Sequence, residues 1–398
     1  MTFSVLDDGH VSSPSGFRAT GVSAGLKEIR ARDLALILSQ TPCRAAALFT
    51  TNSITAAPVY FDQVILARNR EGIRALLINT GHANAGTGQP GLQSAVECAK
   101  IVADELEVPR DSVLLLSAGQ IGVPLPMDKM RAGIRRAASE LDSSGGRRAA
   151  IAMLTGEARP KDRAIRATLR AGRSAVLAGM ARGGRALQPQ SATLLAVLTT
   201  DAPVEARLLQ HALEQSAAKS FGRLAIGGEA SPNDAIVLLA NGSAGGPLVG
   251  DLNSYEFGAF QEALDYLCSD LAQQIAREAA ASGKLVQIHV RGASSEADAR
   301  QVAAAVARSE AARWAFARAT PDWSGVLVAV GASGVALRPE ALELRVGSVA
   351  VMAEGVALRF DQSALVQALS GPELELTVDL HVGAGAATVW TCTAPSEG

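Results

Sequence analysis

Apolar and polar positions along this chain repeat with two different periods, and the segments alternate. Leu34 to Leu38 and Ala45 to Phe49 are short apolar runs that predict early strands. Arg74 to Asn79 predicts another, running into a loop rich in Gly, Asn and Thr. From Gly91 to Leu106 the apolar residues Leu92, Val96, Ile101, Val102 and Leu106 recur at helical spacing. Ser112 to Leu116 reads as a strand, Met127 to Leu141 as a helix, and Ser143 to Arg147 as a loop. Two short strands are expected around Ala171-Gly172, between Arg163 and Leu177. The apolar run Leu194 to Leu198 follows a stretch rich in Gly, Ala and Arg. Helical patterns cover Val204 to Ser220, Tyr255 to Ala281 and Glu296 to Arg318, and Lys284 to Val290 reads as a strand between them. The last quarter reads as β-rich: Leu327 to Val330, Leu342 to Val351, Leu374 to Leu380 and Ala387 to Trp390.

The pattern is that of a mixed α/β protein. A chain of 398 residues is long enough for two domains, and it contains neither a fixed-period repeat nor a Pro- or Ser-rich linker, so two halves packed together are expected. With 48% hydrophobic and 19% charged residues it can bury a sizeable core. The net charge of -2 comes from 37 basic and 39 acidic residues, which lacks the basic surplus a nucleic-acid binder needs. No apolar stretch is long enough for a transmembrane helix. The opening MTFSVLDDGH has neither the basic nor the apolar region of a secretory signal. Cys43, Cys98, Cys268 and Cys392 are far apart, as expected of buried free thiols in a reducing cytoplasm. The five histidines are scattered too, so neither a metal centre nor a cofactor is expected.

Two motifs point elsewhere on first sight. Gly86 to Gly91 spells G-x-G-x-x-G, but several residues separate it from the strand before it, and the next strand ends at Ser117-Ala118 without an acid. A loop capping a helix is the better reading. Gly21 to Gly25 spells G-x-S-x-G, but a strand rather than a helix follows, so a turn is expected rather than a nucleophile elbow.

The stretch from Gly179 to Asp201 carries the chemistry. Alone, Thr193 is an ordinary β-former opening a strand. Its surroundings change that. The blocks SGFRATGVSAGLK (15–27), DLALILS (33–39), ALFTTNSITAAPV (47–59), INTGHANAGTGQPGLQSA (78–95), SAGQIGVPLPMDKMRAGI (117–134), RPK (159–161), GMARGG (179–184), SATLLAVLTTDA (191–202) and PNDAIVLLANG (232–242) occur in this order. In these the chain resembles the ornithine acetyltransferase family, also called bifunctional glutamate N-acetyltransferase, from about Pro14 to Cys392. The resemblance implies an α/β fold of stacked β-sheets sandwiched by helices. It implies a precursor that cuts itself at Ala192-Thr193 into an α chain (1–192) and a β chain (193–398), two of each assembling in the cytoplasm. Thr193 would then be an N-terminal nucleophile whose freed α-amine, with a pKa near ~7.7–8.0, serves as its base. Its partners would be a small-molecule acyl donor and an amine acceptor, N-acetylornithine and glutamate in the family, in ping-pong acyl transfer.

Further site residues follow from the same resemblance. Ala118-Gly119 stands where the family has a Thr-Gly oxyanion hole. Gly119 keeps its N–H, the hydroxyl is gone, and Ser117 is a candidate substitute. Losing one such donor costs about 10²–10³ in rate. Thr155 matches a substrate-contacting threonine, followed by Gly156, Glu157 and Ala158 in place of Thr-Asp-Thr. Arg182 replaces a substrate-contacting lysine, and Arg185 a glycine. Ala280 stands at a substrate glutamate, and the family's C-terminal Asn and Ser/Thr find no match after Cys392. These departures give three expectations: an acyltransferase with altered substrates, a family member retaining the fold as a scaffold or partner subunit, or an ordinary ornithine acetyltransferase of cyclic arginine biosynthesis. The first is the main expectation, because the nucleophile is kept while contacts that read the amino acid have changed.

Overall fold

In the computed structural model, residues 2–27, 31–183, 193–226, 229–281 and 283–393 are described. The chain divides into two compact units, one of residues 1–221 and 229–275, the other of 222–228 and 276–398. These are folded units, a different matter from the two chains that a cut after Ala192 would produce.

The first unit is built on nine strands: β1 (Phe3–Leu6), β2 (Phe17–Val22), β3 (Leu34–Phe49), β4 (Ile73–His82), β5 (Val113–Gln120), β6 (Lys161–Thr168), β7 (Ser174–Arg182), β8 (Leu195–Thr200) and β9 (Ala235–Ala240). Their order is β1-β6-β7-β8-β9-β3-β4-β5, with β2 also on β3. The two apolar runs expected as separate strands, Leu34 to Leu38 and Ala45 to Phe49, are the halves of β3. The first half lies antiparallel to β2 and β4, the second antiparallel to β9, and the register on β4 shifts between Leu38 and Cys43. One strand therefore belongs to two sheets. Strand alternation sends every second side chain to the same face. One buried cluster draws Ala35, Ile37, Leu76, Ile78, Leu114 and Leu116 from the first sheet and Met180, Leu195, Val197, Val237 and Leu239 from the second. The sheets are stacked face to face across it.

Helices cover both outer faces. The opposite phase of the first sheet, Leu34, Leu36, Ala75, Leu77, Val113 and Leu115, is buried with residues of the helices Gly88–Leu106 and Met127–Ser139. On the second sheet, the helix Ala206–Lys219 buries Leu208, Leu209, Ala212 and Leu213. Leu271, on the helix Tyr255–Ala279, lies against β7 so closely that a Cβ on Gly179 would come 2.9 Å from its Cδ1. Each fully buried Leu or Ile contributes about 1.5–3 kcal/mol. The fold is the expected sandwich of stacked sheets between helices.

The second unit has its own six-stranded sheet, β10 (Leu285–Ala293), β11 (Glu343–Val346), β12 (Val349–Ala353), β13 (Val356–Ala357), β14 (Glu373–Asp379) and β15 (Gly385–Cys392), ordered β13-β12-β11-β14-β10-β15. Its core joins Val286, Ile288, Leu344, Leu376 and Val378 to Val302 and Val306 of the helix Glu296–Arg308. Three further expectations change here and in the first unit. Leu327 to Val330, expected as strand, lies in the helix Ser324–Gly331. The helix expected over Glu296 to Arg318 is two, because the Ser309 hydroxyl accepts the Ala312 N–H and caps a new start. The expected loop Ser143 to Arg147 runs into the helix Gly146–Ala152.

Candidate active site

Strand directions bring the expected site residues to one edge of the second sheet. β8 and β9 are parallel with Leu195 opposite Ala235, so Thr193 and Ser231 to Asp234 precede the same edge. β7 is antiparallel to β8, with Arg182 opposite Leu195, and so ends there. β6 is antiparallel to β7 and starts there, preceded by the segment carrying Thr155 and Glu157. β3 is antiparallel to β9, Phe49 opposite Ala235, which delivers Thr50.

Thr193 is 5% exposed, and its Oγ1 lies 2.8 Å from Ser231 Oγ. Its carbonyl accepts Arg182 Nη1 at 2.7 Å. The same guanidinium donates through Nη2 to Thr155 Oγ1 at 2.7 Å and through Nε to Glu157 Oε1 at 2.8 Å. Arg182 therefore ties Thr155, Glu157 and Thr193 into one network. Asp234 accepts the Leu194 N–H on Oδ1 (2.7 Å) and the Ser231 N–H on Oδ2 (2.9 Å), so one carboxylate fixes the residue after Thr193 against its hydroxyl partner. Thr155 itself is exposed.

Ala118 and Gly119 end β5, beside Thr80 and Gly81 of β4. They connect to the Thr193 side through a relay. The Gln120 carbonyl accepts the Ala83 N–H, and the Ala83 carbonyl accepts Asn233 Nδ2. Gly119 has φ +138°, and a Cβ there would sit 2.2 Å from the Gly81 carbonyl carbon, so only glycine fits. Ala118 is fully buried in the cluster between the sheets. Ser117, the candidate substitute donor, already gives its hydroxyl proton to Asn79 Oδ1 at 2.6 Å. Ala192 and Arg185 lie outside the described residues.

The ArgJ family model matches residues 18–396. The arginine biosynthesis bifunctional protein ArgJ of Symbiobacterium thermophilum is 38% identical over 387 residues, 96% of this chain and 95% of its own. Its counterpart in Gloeobacter violaceus is 36% identical over 389 residues, covering 97% and 95%. The chain belongs to the ArgJ family. Among solved structures, the ornithine acetyltransferase of Mycobacterium tuberculosis, complexed with ornithine, matches at 36% identity and a TM-score of 0.43 over 48% of this chain and 99% of that one. The Bacillus halodurans ArgJ structure matches at 31% and 0.43 over 47% and 97%.

The electrostatics of this ArgJ-family site are those of two cations, buried Arg182 and half-buried Lys27, set among the carboxyl groups of Glu157, Asp33 and Asp234. Burial opposes ionisation of Glu157, yet the Arg182 charge and the N–H groups of Thr155 and Gly156 outweigh it and hold the carboxyl at about 2. Burial draws the Lys27 ammonium down to about 8, against the pull of Asp33 and Glu157. Lys27 Nζ donates to the Leu154 and Arg32 carbonyls at 2.5 and 2.8 Å, which pins the segment leading into Thr155. Burial also pushes the Asp234 carboxyl up, partly offset by its two N–H donors.

Sequence reasoning about the ArgJ-like blocks missed Lys27, Glu157, Ser231 and Asp234 as working parts of the site. Lys27 ends one matching block, and Ser231 stands one residue before another. The turn residues Ser231-Pro232-Asn233-Asp234 were the available signal. In the second unit, Glu343 Oε1 and Asp379 Oδ1 lie 3.2 and 3.6 Å from His381 Nε2, while Arg291 holds the other Asp379 oxygen. This set reads as an ion-pair cluster. Among the described residues, no helix is long and apolar enough to cross a membrane.

Proposed function

We propose that this protein is an N-acetyltransferase of arginine biosynthesis, moving acetyl from N-acetylornithine to glutamate through Thr193. Relatives named for arginine biosynthesis match it over nearly its whole length, which favours this ordinary role over altered substrates and over a scaffold role. The observation that carries the mechanism is the setting of Thr193: a buried hydroxyl on Ser231 and a carbonyl on Arg182, with the next residue clamped by Asp234. Self-cleavage at Ala192-Thr193 frees the α-amine, which is the base the Thr193 hydroxyl requires. The hydroxyl attacks the acetyl carbonyl of the donor, ornithine leaves, and the acetyl-threonine is then attacked by the glutamate amine. The Gly119 N–H stabilises the oxyanion. Thr155, at the exposed side of the network, meets the substrate. Arg182 holds Thr155 and Thr193 in place. The α and β chains stay paired, two of each.

Intact mass of the purified protein tests the first step. Two fragments, residues 1–192 and 193–398, are expected. A single chain of 41.0 kDa would overturn the reading. Acetyl transfer between the two amino acids tests the second, and Thr193→Ala is expected to abolish it together with cleavage.

A further inference from the structure

We propose that Ser231 is a second catalytic hydroxyl, relaying the proton from Thr193 Oγ1 to the Thr193 α-amine; this rests on the reading of Thr193 as a freed nucleophile. A direct transfer from hydroxyl to amine within one residue closes a five-membered ring. Its O–H···N angle falls below the ~120° at which hydrogen bonds weaken steeply. A hydroxyl between the two relieves that angle. Among the described residues, Ser231 Oγ is the hydrogen-bond partner of Thr193 Oγ1, at 2.8 Å.

Ser231 is held as a relay needs to be. Its carbonyl accepts Thr50 Oγ1 at 2.6 Å, and its N–H goes to Asp234 Oδ2 at 2.9 Å. Its Oγ accepts the Asn233 N–H at 3.3 Å, which leaves the hydroxyl proton to be donated onward. Ser231 is 1% and Thr193 5% exposed, so both hydroxyls are buried where they meet. In the attack, Thr193 Oγ1 bonds to the acetyl carbon and its proton passes to Ser231 Oγ. Ser231 passes its own proton to the α-amine, which becomes an ammonium, and the carbonyl π pair moves onto oxygen. The oxyanion pair then re-forms the carbonyl as the C–N bond breaks, Ser231 gives its proton to the departing ornithine nitrogen, and the ammonium restores the Ser231 proton. Ser231 begins and ends as a neutral hydroxyl.

The test is a proton inventory on the parent protein in mixtures of light and heavy water, followed by Ser231→Ala and Ser231→Thr. A rate that falls quadratically with deuterium fraction, two protons in flight, is expected; a linear fall would overturn the relay. In Ser231→Ala, kcat per cut molecule is expected to drop about 10²-fold with KM unchanged, and Ser231→Thr to recover most of it. Parent-like kcat in Ser231→Ala, with Thr193→Ala inactive, would overturn the relay and leave the nucleophile in place. An active Thr193→Ala would instead remove the reading on which the relay rests.

Discussion

Arg182 and Glu157 form an ion pair of 2.6 Å whose side chains are 6% and 2% exposed. Removing one partner of a buried pair leaves the other uncompensated. Here that other is the guanidinium that holds the Thr193 carbonyl and the Thr155 hydroxyl.

The pair makes stability depend on pH in a set direction. The folded-state pKa of Glu157, about 2, lies below its ordinary 4.5. Its contribution is therefore complete above about pH 4.5 and is lost as pH falls toward about 2, on the order of 3 kcal/mol in all. Glu157→Gln is expected to be less stable than the parent near neutral pH, with the gap narrowing near about pH 3. Denaturant unfolding at both values checks this, and a gap that stays constant would contradict it.

Lys27 acts one step further out. Lys27→Met takes a donor from the Leu154 and Arg32 carbonyls and loosens the segment bearing Thr155. The expected result is a stability loss of about 1–3 kcal/mol and a kcat/KM lower by roughly tenfold. Steady-state kinetics beside a melting curve separate the two effects.

At the end of β5 the backbone sets the limit. Gly119→Ala places a Cβ in the Gly81 backbone at a positive φ. The φ strain alone costs about 1–3 kcal/mol, and the clash adds to it. The melting temperature is expected to fall, with protection from hydrogen exchange lost first at the ends of β4 and β5. A parent-like melting curve would show that the β4–β5 contact yields easily.

Ala118→Thr tests the proposal that Ala118-Gly119 forms the oxyanion site. The added hydroxyl is expected to speed self-cleavage, while its extra volume overpacks the core between the sheets by about 1–3 kcal/mol. Time-resolved intact mass reads the cleavage rate. An unchanged rate would mean that the hole is completed by other groups.

Much of this was legible in the residues. The long helices announce themselves by period, and strands β4, β5 and β8 as unbroken apolar runs, because these strands are buried on both faces. The helix Ser324–Gly331 did not, since the short apolar run Leu327 to Val330 has no period to read. The turn from one sheet into the other at the middle of β3 was also hidden, as a polar interruption looks the same whether a strand ends or bends. At the site, Thr193 and Arg182 came from family-like blocks, and Thr155 from its match to a family threonine between two of them. Their hydrogen bonds to Glu157, Ser231 and Asp234 depend on strand register, which no local pattern encodes.

The strand order also governs what a cut before Thr193 does to the molecule. β8 and β9 belong to the C-terminal piece, yet they lie between β7 and β3, which belong to the N-terminal piece. A cut there is a nick inside a continuous hydrogen-bonded sheet. The pieces are interleaved like the teeth of a closed zip, so dilution alone cannot part them. Pieces cut there would migrate as one body in a native separation and come apart when the sheet itself unfolds.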